Sequence, residues 1–151
     1  MASVHDVAAY IIGVTGPIST MKLQKLAYYS QAWNLVWLEE PLFDSEIQAW
    51  INGPVVWDLF DKHRGRFTVD SWSEGDASEL TEPETQTIDA VLDAYGKFTG
   101  QQLSALSHQE DPWVEAREGL SQSESSGVPV SLDRMQQYYS AVAFAADSVD
   151  L

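Results

Sequence analysis

Apolar residues recur at helical spacing along most of this chain, and the clearest run ends at Trp37. Leu23, Leu26, Ala27, Ser30, Trp33, Asn34 and Trp37 fall in one stripe, while Lys22, Gln24 and Gln31 occupy other faces. The pattern predicts an amphipathic helix that starts after Ser19 or Thr20 and runs to about Trp37. Lys22 and Lys25 stand near its N-terminal end, where the helix dipole disfavours cations, so an acidic partner is expected for them. A first helix is predicted over 3–13. Ser3 and Asp6 have capping-box spacing, Val4, Val7, Ala8 and Ile11 form the stripe, and Gly13, Gly16 and Pro17 end it.

Residues 46–52 alternate as a strand does, with Ile47, Ala49 and Ile51 on one side and Gln48 and Trp50 on the other. Asn52, Gly53 and Pro54 break the chain. Pro54 suits the first turn of a helix bearing Val56, Leu59, Phe60 and His63, which Gly65 stops. Residues 67–72 read as a second strand that pairs with the first. A polar, acidic loop over 73–84 follows. Thr81 with Glu84, and Thr99 with Gln102, then match capping boxes for helices that bury Ile88, Val91, Leu92 and Tyr95, and Leu103 and Leu106. Asp111 is expected to cap a helix with Pro112 at its first position, leading to Trp113, Ala116 and Arg117. Residues 119–130 have the composition of a flexible loop. A last helix from about Ser131 is expected to bury Leu132, Met135, Tyr139, Val142 and Ala146. These elements predict an α+β fold: one predominantly helical domain over 1–151 with a small two- or three-stranded antiparallel sheet.

Length and composition fit that picture. A chain of 151 residues, 44% hydrophobic, suits one domain with a substantial core. No run of about 18 apolar residues is present, and the first residues lack the basic flank of a signal peptide, so a soluble cytoplasmic protein is expected. With no cysteine there is neither a disulfide framework nor a thiolate metal site. The net charge of −15 repels a nucleic-acid backbone, so direct binding of nucleic acid is not expected. Lys62, His63, Arg64 and Arg66 form the one basic cluster.

Reactive chemistry is sparse. His5, His63 and His108 lie in separate segments, and only His108 has neighbours, Glu110 and Asp111, that suit a carboxylate–histidine metal site. Helix capping by Asp111 and a helix-terminal position for His108 account for the same residues. Ser104 and Ser107 near His108 do not make a triad, and no phosphate-binding glycine loop occurs. No enzyme, metal or cofactor is expected. Tyr28, Tyr29, Trp33 and Trp37, with Trp50 and Trp57 beyond, read mostly as core, with Gln24, Gln31 and Asn34 as hydrogen-bond partners and a minority left to line a groove.

Three separated motifs carry a family resemblance: LQKLAYYSQAW over 23–33, PLFDSEIQAWINGPVV over 41–56, and LDAYGKFTGQQLSALSHQEDPWVEAR over 92–117. Together they resemble the Panacea-domain antitoxins, the SocA-like family that includes the phage-associated GepA type. The resemblance implies an antitoxin of a toxin–antitoxin pair, found in bacteria, phages and prophages, that neutralises a neighbouring gene's toxin by direct protein contact. Alternatives implied or left open are a protease adaptor delivering the toxin to ClpXP, and a phage or host regulatory protein. An enzyme using His108 with Glu110 or Asp111 is a further rival. The matching positions are Gln24, Lys25, Tyr28, Tyr29, Gln31 and Trp33; Ala49, Trp50, Gly53, Pro54 and Val55; and His108, Pro112, Trp113 and Arg117. Gly53 and Pro54 are expected to shape a backbone corner, and Trp33, Trp50 and Trp113 to support the shared fold. Lys25, Gln31, His108 and Arg117 suit either a polar network or partner contact. Trp57 departs from the family, which usually carries proline there.

Overall fold

A computed structural model describes residues 1–149 of the chain. At its centre lies one helix, α2 (Thr20–Trp37), capped by Ser19, whose hydroxyl accepts the Lys22 amide. It packs against α1 (Val4–Thr15), α4 (Glu82–Tyr95), α5 (Gly100–Ser107) and α7 (Leu132–Val149), and against a β-hairpin. Every residue of α2 from 23 to 35 is buried, so the helix is enclosed on all sides and not amphipathic as its stripe predicts. Its polar residues are tolerated there because each reaches a backbone group. Gln31 accepts the amides of Leu42 and Phe43 and donates to the Phe43 carbonyl, and Asn34 donates to the Glu40 carbonyl. These bonds hold the turn that leaves α2 through Glu39, at φ +58°.

The three capping boxes form as predicted. Ser3 and Asp6, Thr81 and Glu84, and Thr99 and Gln102 each make both bonds of a capping box. Two helix starts and stops differ. α1 continues through Gly13, which faces open space, and stops at Gly16, where φ of +74° ends the helical path. α6 (Asp111–Ala116) has Glu110, not Asp111, at its N-cap position, with no capping bond from the side chain, and Pro112 is buried in the first turn.

The strand pairing also differs. β2 (Ile47–Trp50) pairs antiparallel with β3 (Gly53–Val56), with Ile47 opposite Val56 and Trp50 opposite Gly53. Pro54 therefore lies in a strand, not in the first helical turn. Proline is admissible because its position faces the outer edge, where no ladder donor is needed. The helix α3 (Trp57–His63) begins three residues later. The segment expected to pair with β2 contributes only β4 (Thr68–Val69), which pairs with β1 (Ile18–Ser19). The far edge of β2 is covered by the chain at 128–130, through bonds between Ala49 and Val128 and between Val130 and Ile47. Gly127, next to that edge, packs on the Gln48 amide.

In α7, Met135 and Tyr139 are buried and Leu132 half-buried, but Val142 and Ala146 are exposed, because the helix runs past the end of the core. No helix among the described residues is long and apolar enough to cross a membrane.

Candidate functional site

The residues singled out in the sequence converge on the β2–β3 hairpin, and they hold it by its backbone. Arg117 Nη1 donates to the Ala49 carbonyl at 2.8 Å, and Trp113 Nε1 to the Trp50 carbonyl at 2.8 Å. His108 Nε2 contacts the Ile51 carbonyl, which makes it the protonated ring nitrogen. Ser104 Oγ donates to the Asn52 carbonyl at 2.6 Å, and Lys25 Nζ to the Pro54 carbonyl at 3.0 Å. Carbonyls 49, 50, 51, 52 and 54 are thus each taken by a different side chain.

The outer edge of β3 is completed by α2. Gln24 accepts the Val56 amide at 2.8 Å and donates to the Val56 carbonyl at 3.2 Å, as a neighbouring strand would. Its amide nitrogen also lies 3.0 Å from His63 Nε2, and burial lowers the pKa of that imidazole. An edge closed in this way is protected from pairing with another chain. Helical spacing explains the grip from the other side. Ser104 on α5 and His108, its C-cap, are four residues apart, as are Trp113 on α6 and Arg117, its C-cap. The His108 ring stands edge-on to Trp113 with centroids 4.4 Å apart, and the Arg117 guanidinium lies 5.4 Å over that indole. Arg117 reaches further, to the carbonyls of Ser121 and Glu124, and so ties the 119–130 loop to the hairpin.

Among the described residues, lysines 22 and 25 pair with backbone carbonyls and not with an acidic side chain of this chain. Lys22 donates to the Gly96 carbonyl and Lys25 to that of Pro54. Burial of Lys25, without a compensating carboxylate, lowers its pKa to about 7. Gly53 lies against this lysine. Its φ is +113°, and a Cβ there would stand 2.9 Å from Ser107 Oγ and 3.1 Å from Lys25 Cε. Replacing Gly53 with alanine should therefore cost about 2 kcal/mol, through the backbone strain and the crowding together. Thermal unfolding measures this, and an unchanged midpoint would show that the corner relaxes freely.

Tyr28, Tyr29 and Trp33 belong to a second cluster, away from the hairpin. Tyr29 and Tyr139 both donate to Glu110 Oε1, at 2.7 and 2.8 Å, and Tyr28 and Tyr139 share a hydroxyl contact at 3.1 Å. Burial raises the pKa of Glu110 and of all three tyrosines. Trp33 donates to the Tyr95 hydroxyl, whose pKa burial raises to about 12. The tyrosines are thus partnered by each other and by Glu110, not by Gln24, Gln31 and Asn34. Glu110 and Tyr139 were not foreseen as members, because each is remote in sequence from Tyr29. Asp111, for its part, lies 3.8 Å from Arg134 in a half-exposed ion pair. His108, Glu110 and Asp111 therefore point to three different places. No group of side chains among the described residues is arranged to hold a metal ion.

The hairpin, α2 from Leu23 onward and the Ser104–Trp113 arm lie within the segment 23–114, and that segment matches the family model described as antitoxin SocA-like, Panacea domain. The chain belongs to that family. An antitoxin role, with a toxin as partner, comes in general with this membership. No curated protein and no solved structure matches the chain. The Panacea segment ends just before Arg117, so the clamp's longest arm lies outside the matched residues. Trp57, the departure from the family motif, begins α3 and donates its amide to the Glu46 carbonyl at 3.1 Å, a bond that proline could not make.

The hairpin's other face is open. Gln48, Trp50 and Val55 line a groove of about 550 Å³ with Ile51, Asn52 and residues 125–127. Trp50 continues this face onto α3, 4.8 Å from Phe60 and 6.3 Å from Trp57 between ring centroids.

Proposed function

We propose that this Panacea domain is the antitoxin of a toxin–antitoxin pair and neutralises one cognate toxin by direct protein–protein contact, without catalysis. The observation that carries the reading is the use made of the reactive side chains. Lys25, Ser104, His108 and Arg117 are engaged with hairpin carbonyls, and Glu110 with two tyrosines. Groups committed in this way build a scaffold and leave none of them aimed at a substrate. What the scaffold presents is a rigid hairpin face with an aromatic margin, a composition suited to protein contact. The charge of −15 further suits a basic toxin, by speeding encounter and covering a surface that otherwise engages nucleic acid or nucleotide.

Co-expression with the protein of the adjacent gene tests the proposal, scored by growth and by co-purification. Growth rescue with a stable complex is the expected result. A neighbour that is toxic alone, is not rescued and forms no complex would overturn it. Rescue that persists in cells lacking ClpXP separates masking from delivery to the protease.

A further inference from the structure

Positive charge is scarce in this chain, and most of it is already used. Of the eight basic residues, Lys25 and Arg117 are buried on carbonyls, and Lys22 donates to Gly96. Arg134 is paired with Glu115 at 2.6 Å, and Lys97 lies over Phe98. Lys62, Arg64 and Arg66, at the end of α3, are the basic side chains that stand exposed as a group. Trp57, Phe60 and Arg64 follow one another along α3 at helical spacing, and the Arg64 guanidinium sits 5.5 Å from the Trp57 ring and 5.2 Å from the Phe60 ring. That ridge adjoins the hairpin groove through Trp50.

We propose that the outer face of the hairpin and the adjoining ridge of α3 together dock an acidic segment of the protein partner, one apolar side chain entering the groove and one carboxylate meeting Arg64. This rests on the reading that the domain acts by binding a toxin. The groove beside Trp50, Ile51 and Val55 has a wall that is more apolar than polar and has room for a large side chain. Trp57 and Ile51 are 37% and 36% exposed, so covering them removes apolar surface from water. The Arg64 guanidinium lies close to two rings beside the groove, and a guanidinium can meet a carboxylate in a bidentate fork. Asp58 and Asp61 share α3, and Asp61 lies 3.3 Å from Arg64, but both side chains of that pair are more than half exposed. A pair so exposed is worth at most about 1 kcal/mol and yields readily to a better-placed carboxylate. Elsewhere the chain's own acidic surface repels such a segment. The ridge therefore sets the orientation of the complex, even for a partner whose overall charge is positive. A nucleic-acid strand would also find a cation and aromatic rings here, but the −15 field opposes it over a much longer path.

The test measures the affinity of the purified full chain for the adjacent-gene toxin, at low and at physiological salt. Two variants that change net charge equally are compared, Arg64→Glu on the ridge and Lys97→Glu away from it, together with Trp57→Ala. Arg64→Glu and Trp57→Ala should each weaken binding at least tenfold with unchanged thermal midpoints, and Lys97→Glu less than twofold. Equal effects of the two charge reversals would overturn the proposal in favour of a general field, and no effect of either would place the contact elsewhere. A single-stranded oligonucleotide bound at physiological salt and released by Arg64→Glu would overturn the acidic-segment assignment, as would a dimer of this chain dissociated by the same change. A wild-type chain that does not bind the toxin would remove the antitoxin reading first and this surface with it.

Discussion

Replacing Arg117 with alanine should destabilise the domain by about 3–5 kcal/mol. The guanidinium is buried and shared among the carbonyls of Ala49, Ser121 and Glu124, and lies 5.4 Å over the Trp113 ring. Truncation removes charge-assisted bonds, leaves the buried Ala49 carbonyl without its donor, and takes the cation away from the Trp113 indole. For a domain of this size the loss lowers the unfolding midpoint by roughly 10 °C. Arg117→Lys should recover only part of it, since an ammonium is a single point donor and lacks the planar fork that spans separated acceptors. Urea unfolding followed by tryptophan fluorescence gives the value. A loss below about 1 kcal/mol would mean that the hairpin and the 119–130 loop hold their positions without this arm.

Stability should rise with pH between 7 and about 10 in the native chain, and the rise should disappear in Lys25→Met. The Lys25 amine has a pKa of about 7 when folded, lowered by burial, against an ordinary value of 10.5. Below the folded value both states carry the proton, and the cost of burying the ammonium is felt in full. Between the two values the unfolded chain binds more protons than the folded one, so raising the pH favours folding until the ordinary pKa is passed. Within that window the native-minus-variant difference grows by about 1.4 kcal/mol per pH unit. Methionine fills the space of the aliphatic stem but leaves the Pro54 carbonyl without its donor, an offset that does not vary with pH. Parallel pH profiles of unfolding free energy for the two proteins would refute a desolvated amine.

Local signals carried most of the helices. A capping box such as Thr81 with Glu84 lies within four residues, and its physics is complete there. Strand pairing was not legible in the same way. Gly53-Pro54 reads as a break followed by a helix start, because nothing near it shows that Gln24, far back along the chain, completes the edge of that strand. The enclosure of α2 was hidden for a related reason. Gln24 and Gln31 lie off the apolar stripe in the sequence pattern, yet each meets a backbone group brought in by the tertiary fold. The motif residues were recognised as a set, and so was a polar network as one of their uses. What the sequence withheld was the shared acceptor, since carbonyl oxygens leave no mark in the identity of the residues that bear them.

The same indifference has a consequence for how such a domain changes over time. The grip on the hairpin works like a collet that closes on the shank of a tool and takes no account of the bit. Oxygens 49 to 52 and 54 belong to peptide groups, and every amino acid supplies the same one. Gln48, Ile51 and Asn52 project beyond the grip into the groove or toward solvent. Their identities are thus uncoupled from the forces that hold the loop in place. The tip can be refitted for another counterpart while the holder stays as it is.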